Sequence, residues 1–242
     1  MLKKFSFIFS IAIGFSLLCF AQAKKPVTKN KPVVKKAVTL KPAVTKKDNS
    51  IRIKITTDSG VMIVKLYDST PLHRDNFVKL VKQGFYDSLL FHRVIPGFMI
   101  QGGDPLSKHA IAGDMLGNGG SDMARIPAEF RSSLIHKRGA LAAARDGNPE
   151  KASSACQFYL VEGNIINDGQ LNGLEQGKGI KYSPEQRNLY KTIGGTPFLD
   201  QDYTVFGEIE SGMEVISKIA NVPKDGNNRP MGDIRMHMEI LK

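Results

Sequence analysis

The chain has 242 residues, 41% of them hydrophobic and 24% charged, with a formal net charge of +11. That composition carries a sizeable core and excludes a wholly disordered protein. The charge total suggests a nucleic-acid or acidic-surface binder only until it is localised: residues 1–23 carry +2, residues 24–50 carry nine lysines against Asp48, and residues 51–242 carry 23 Lys/Arg against 22 Asp/Glu. The body of the chain is nearly neutral and gives no footing for phosphate-backbone recognition.

Residues 1–23 read as an export signal. Lys3-Lys4 form a positive start, an apolar run extends from Phe5 to Phe20, and Ala21-Gln22-Ala23 fits a small-x-small cleavage site. The run falls short of the roughly 20 residues needed to span a bilayer, so cleavage is expected rather than a membrane anchor. The predicted location is extracytoplasmic, in the periplasm or secreted. The only cysteines are Cys19 and Cys156, so removal of the signal leaves one thiol and no internal disulfide. Cys156 sits in an apolar run and reads as a buried small hydrophobe.

Residues 24–50 read as a disordered linker. Lys25-Pro26-Val27-Thr28, Lys31-Pro32-Val33-Val34 and Lys41-Pro42-Ala43-Val44-Thr45 are imperfect repeats without an aromatic residue. Proline and like charge both favour an extended chain. Such a segment serves either as a spacer or as a contact to anionic envelope surfaces.

Residues 51–242 read as mostly β. Ile51, Ile53 and Ile55 alternate with polar residues, Asp58-Ser59-Gly60 signals a turn, and Val61 to Leu66 completes a hairpin. Thr70-Pro71 starts a helix with Phe77, Leu80 and Val81 as its apolar stripe, ending at Gly84. Short apolar runs follow at 91–95, 98–101, 139–144, 157–161 and 204–209. Gly212 precedes a second helix carrying Met213, Ile216, Ile219 and Ala220 on one face. Ile234, Met236, Met238 and Ile240 alternate as a last strand. Many short strands without a βαβ rhythm predict a closed barrel or a sandwich. Between Val161 and Phe198 lies a long loop, about 163–197, in which Ser183-Pro184-Glu185 starts a short helix running to about Tyr190.

One stretch is far more specific than these patterns. Phe91-His92-Arg93-Val94-Ile95-Pro96-Gly97-Phe98-Met99-Ile100-Gln101-Gly102-Gly103-Asp104 closely resembles the signature of cyclophilin-type peptidyl-prolyl cis-trans isomerases. The resemblance continues through Gly139 to Arg145, Gln157-Phe158-Tyr159 and Val205-Phe206-Gly207, and spans essentially all of 51–242. It implies a closed eight-stranded antiparallel β-barrel capped by two α-helices. It also implies an enzyme that isomerises X–Pro bonds without a cofactor or metal, here assisting the folding of exported proteins. The alternative is a non-catalytic chaperone that binds proline peptides in the same groove.

The chemistry fits the residue types. Amide resonance sets a barrier of roughly 18–20 kcal/mol, and twisting the bond frees a lone pair on the prolyl nitrogen. Arg93 is a permanently charged donor to that nitrogen, and Gln101 either holds the substrate carbonyl or orients Arg93. The resemblance implies a proline pocket walled by Phe98, Met99, Tyr159 and Leu199, with Gln157, Phe198 and Tyr203 beside it and main-chain groups of Ala144 and Arg145 for the peptide. Phe98 and Met99 are neighbours and cannot share one face of a regular strand unless the backbone bends. His92 reads as a structural histidine, and His73, His109, His136 and His237 show no metal-ligand spacing. Gly117-Asn118-Gly119-Gly120 lacks the Lys-Ser/Thr of a phosphate loop and reads as a turn beside the groove.

Three positions and one insertion depart from many family members. Phe198 stands where they have tryptophan, which implies weaker cyclosporin binding with activity retained. Tyr203 replaces a pocket histidine, and Arg145 replaces an asparagine. The 163–197 insertion leads into the pocket wall and reads as an added rim that tunes substrate choice. A monomer that acts on proline-containing polypeptides is expected.

Overall fold

The computed structural model describes residues 50–241. The export-signal reading of 1–23 and the 24–50 linker, but for Ser50, lie outside the described residues. Eight strands form one antiparallel sheet: β1 (Arg52–Thr57), β2 (Gly60–Leu66), β3 (Phe91–Ile95), β4 (Met99–Gly102), β5 (Ala140–Ala143), β6 (Phe158–Val161), β7 (Val205–Ser211) and β8 (His237–Leu241). Their order across the sheet is β3-β4-β6-β5-β7-β2-β1-β8. The expected β1–β2 hairpin turns at Asp58-Ser59, with Thr57 opposite Gly60 and Ile55 opposite Met62.

The sheet curls into an open half-barrel, which corrects the expectation of a closed barrel. The edge strands β3 and β8 share no ladder. The edges approach each other through the start of β3 and the residues just before β3 and β8, where Phe91 N donates to Ile234 O at 3.0 Å, Ser88 N to Met236 O at 2.9 Å and Met236 N to Leu89 O at 2.9 Å. Leu90 and Arg235 form a single bridge there. The approach is offset along the sheet, so β8 spends its ladder on β1 alone.

Among the described residues there are four α-helices, α1 (Pro71–Lys82), α2 (Asp168–Lys178), α3 (Pro184–Thr192) and α4 (Met213–Ala220); α3 is the short helix expected from Ser183-Pro184, and α2 was not expected. The expected pair are α1 and α4. Phe77, Val78, Leu80 and Val81 of α1 and Val215, Ile216, Ile219 and Ala220 of α4 are buried in the core inside the curl. Gly212 begins α4 with φ +86°, and a Cβ there would strike Val61 O, so only glycine fits the entry. The 163–197 stretch is mostly helical. Asn167 and Ser183 each form a reciprocal capping box, with Gln170 and Gln186. With Ile135, Leu171, Tyr182 and Tyr190, the insertion builds a small core of its own.

Alternation along β3 to β7 divides the sheet into two buried faces. Val94, Ile100, Leu141, Ala143, Phe158, Leu160 and Phe206 point into the curl. Met99, Ala140, Ala142, Tyr159, Val161 and Val205 point outward into a second cluster with Leu199. Burial on both faces explains why these strands read as continuous apolar runs rather than as alternating ones.

Candidate active site

The outer face of β3, β4 and β6 carries the site. Arg93 of β3 lies opposite Gln101 of β4, and Gln101 lies opposite Tyr159 of β6, so ladder register alone sets three side chains in one row. Arg93 donates from a terminal nitrogen to Gln101 Oε1 at 3.2 Å. Gln101 Nε2 donates to Gln157 Oε1 at 3.1 Å, and Gln157 Nε2 donates to Gly117 O and Gly119 O, each at 2.9 Å. Each amide orients the next, and the last is fixed to the backbone of the glycine-rich turn. The Arg93 guanidinium lies 5.8 Å from the centre of the Phe98 ring. Partial burial pulls Arg93 below the usual arginine range, but an arginine stays charged at any working pH.

Arg93 and Gln101 border a small pocket of about 110 Å³ whose other walls are Phe98, Met99, Ala144, Arg145, Tyr159, Leu199 and Tyr203. Phe98 and Met99 both reach it because Phe98 precedes β4 in a bend at Gly97, whose φ is +69°, and is free of the strand alternation that places Met99. Two sequence-predicted residues stand just outside. Phe198 is 51% exposed and packs on Phe98 with ring centres 5.6 Å apart, which makes it a lip. Gln157 lines a larger neighbouring cavity of about 550 Å³ that runs past Gly117–Ser121 and Arg125.

The Ala144 main chain is already engaged: its N–H donates to Gln157 O at 2.9 Å and its C=O accepts from Ser154 N at 2.8 Å. Arg145 folds back over the Tyr203 ring at 4.6 Å and donates from Nε to Asp202 O at 2.8 Å. His92, beside Arg93, is buried with neither ring nitrogen hydrogen-bonded among the described residues. Burial pushes its pKa down to about 4, so it is neutral at neutral pH. It borders a third cavity of about 220 Å³ on the other side of Arg93, with Asp114, Asp225 and Arg229.

The sequence reading passed over residues behind the wall. His136 and Asp200 are both buried, and the pair stands next to Tyr159. The two lie 64 positions apart, so no local spacing signals the pair.

The model for cyclophilin type peptidyl-prolyl cis-trans isomerase/CLD matches residues 52–239. The chain belongs to the cyclophilin family of peptidyl-prolyl cis-trans isomerases. Relatives that carry the isomerase name include a Staphylococcus haemolyticus protein, 35% identical over 78% of this chain and 89% of its own length. A Staphylococcus saprophyticus protein is 35% identical over 80% and 93%. Among solved structures, a Cryptosporidium parvum cyclophilin aligns with TM-score 0.59 at 25% identity, covering 80% of this chain and 98% of that one. The same protein in the presence of the dipeptide Ala-Pro aligns with TM-score 0.56 at 24% identity, covering 79% and 99%. Within this cyclophilin, Arg145 and Tyr203 stack on one another. The two residues that the resemblance sets apart, Arg145 and Tyr203, therefore form a single contact. Phe198, the third departure, keeps an aromatic lip without a donor.

Proposed function

We propose that this cyclophilin accelerates cis–trans isomerisation of X–Pro bonds in exported polypeptides, with Arg93 as the catalytic group. The observation that supports this most is the pairing of Arg93 with Gln101 at the mouth of an apolar pocket of about 110 Å³, a size suited to a prolyl ring. The ring enters between Phe98, Met99, Tyr159 and Leu199, and water is excluded around the amide. As the amide twists, its nitrogen becomes basic, and an Arg93 N–H donates to it. In a desolvated site that bond is worth more to the twisted state than to either planar isomer, which is the condition for catalysis. Gln101 Oε1 faces Arg93, which favours the orienting role over a grip on the substrate carbonyl. With Ala144 engaged inside the chain, Arg145 is left to offer main-chain groups to the peptide, and the cavity beside Gln157 takes the residues that lead to the proline.

Residues 1–23 act in this reading as an export signal and residues 24–50 as a lysine-proline linker that touches anionic envelope surfaces. Deleting 24–50 and following envelope retention across salt concentration tests the linker; unchanged retention rejects it. The catalytic reading is tested by a protease-coupled assay on an Ala-Ala-Pro-Phe anilide with native protein and Arg93→Ala side by side. An active native protein and a nearly inactive variant support it. Equal activity in both removes Arg93 from the mechanism, and an inactive native protein that still binds the peptide points to a holding chaperone.

A further inference from the structure

Behind the pocket wall, four donors converge on one buried carboxylate. Asp200 Oδ1 accepts from His136 N at 2.8 Å and His136 Nδ1 at 2.7 Å. Its Oδ2 accepts from Tyr182 OH at 2.9 Å and Tyr190 OH at 2.5 Å. The far side of the imidazole, Nε2, lies 3.0 Å from Tyr159 OH, and the two rings stack with an interplanar angle of 13°. An ionised Asp200 only accepts, so Nδ1 carries the proton that faces it, and Nε2 meets the Tyr159 hydroxyl on the other side of the ring. Burial and the Asp200 charge both raise the Tyr182 and Tyr190 phenols, which therefore remain donors through the whole working range.

Two of those donors belong to the insertion. Tyr190 is on α3, and Tyr182 lies just before its N-cap, Ser183. The one Tyr182 hydroxyl proton is shared between Asp200 Oδ2 and Pro197 O, which lies 3.2 Å away, while Lys178 at the end of α2 donates to Phe198 O at 2.8 Å and Asp200 O at 2.5 Å. The 3-10 turn Pro197–Leu199 that supplies Leu199 is thus tied from behind by Lys178 of α2 and Tyr182 of the α2–α3 connection, while Tyr190 of α3 holds the Asp200 that follows it. Gly195 lets this happen: a Cβ there would fall on His136 O and within 2.6 Å of the Tyr190 ring. Tyr159 and Leu199 both line one small pocket, and Asp200, which follows Leu199, is joined through His136 to Tyr159.

We propose that Asp200 and His136 are positioning residues that transmit the packing of the 163–197 insertion to Tyr159 and Leu199, so that the insertion sets the fit of the proline pocket. The insertion is then a buttress behind the wall, and the sequence-based expectation of a rim is revised accordingly. Arg93 and Gln101 stand on β3 and β4, outside this network. Loosening it should therefore weaken substrate binding and leave turnover of bound substrate nearly intact.

The inference rests on the isomerase reading, and its test keeps the two apart by using the full-length protein with Arg93→Ala as a separate control. Native protein, Tyr190→Phe, Tyr159→Phe and the double variant are compared for KM and kcat on the Ala-Ala-Pro-Phe anilide. A second readout, the Leu199 methyl NMR signals, reports the wall directly. Tyr190→Phe removes one oxygen about as far behind the pocket as the network extends. It is expected to raise KM about threefold with kcat within about twofold, and to shift the Leu199 methyls. In the Tyr159→Phe background, which cuts the relay at its pocket end, Tyr190→Phe should add little to KM. Asp200→Asn should give a larger KM rise, and if it fails to fold the tyrosine pair still decides. A lower melting temperature with native KM and unmoved Leu199 methyls would overturn the proposal, as would independent, additive effects of the two tyrosine substitutions. Loss of activity in the native protein itself would instead condemn the isomerase reading.

Discussion

The pocket has two halves built in different ways. Arg93, Gln101 and Tyr159 stand in one row on three adjacent strands, where ladder register fixes their spacing. Phe198, Leu199 and Tyr203 come from a 3-10 turn and the loop after it, where no ladder reaches, and their position depends on side-chain hydrogen bonds from the insertion. Groups that donate to a developing lone pair need fixed geometry, and sheets supply it. Groups that enclose a ring need only shape, and a buttressed loop supplies that. The division assigns turnover to Arg93 and Gln101 of the strand half, and affinity to the loop half together with Tyr159, which the Asp200–His136 pair joins to it.

The most severe way to break that division is to strip the strand half of its donor. Arg93→Ala should lower kcat/KM by about 10²–10³-fold, mostly in kcat, as loss of a single preorganised donor does elsewhere. Steady-state kinetics on the peptide anilide checks it.

Acid attacks the same half through stability. His92 is held neutral with its pKa pushed from 6.5 down to about 4 by burial. Below pH 6.5 the unfolded chain takes up a proton that the folded chain refuses, so stability is complete above that pH. It falls as pH drops toward about 4, in total by about 3 kcal/mol. His73, also lowered by burial, adds a loss of the same sign. Urea midpoints should drop between pH 7 and pH 5, and His92→Gln should flatten that drop.

Leu199→Ala sharpens the comparison from the other side. It removes a wall that is only 9% exposed and should raise KM about tenfold with kcat nearly native. Gln101→Leu tests whether Arg93 depends on being oriented. A drop in kcat of about tenfold is expected, smaller than for Arg93→Ala because the guanidinium remains. Phe198→Trp should do least to catalysis, since the lip is half-exposed. An indole N–H adds a hydrogen bond of about 1 kcal/mol, so cyclosporin should bind about fivefold tighter by calorimetry while peptide turnover stays within about twofold.

The strand half was largely legible in the sequence and the loop half was not. The fourteen residues from Phe91 to Asp104 hold both Arg93 and Gln101, and alternation around Ile53, Ile55 and Met238 marks the strands. Proline and Ser-Pro starts at Pro71 and Ser183-Pro184 mark α1 and α3. The helix α2 left no pattern: it carries Gly169, Gly173 and Gly177 and buries only Leu171 and Glu175, with Glu175 held by Lys181 and Arg187. Closure of the barrel is not legible in the sequence because strand number says nothing about register, and the seam between 88–91 and 234–236 is offset. The network around Asp200 joins residues from positions 136, 159, 182, 190 and 200, and only folding brings them together.

The division between the halves is tested most directly by exchange NMR across a titration of a proline peptide up to saturation, with Arg93→Ala and Leu199→Ala in parallel, which reads the isomerisation rate on the protein and the Kd together. The account predicts that Arg93→Ala binds the peptide with near-native Kd and loses the catalysed exchange, while Leu199→Ala binds about tenfold more weakly and keeps it. Catalysed exchange surviving at the native rate in Arg93→Ala would contradict it.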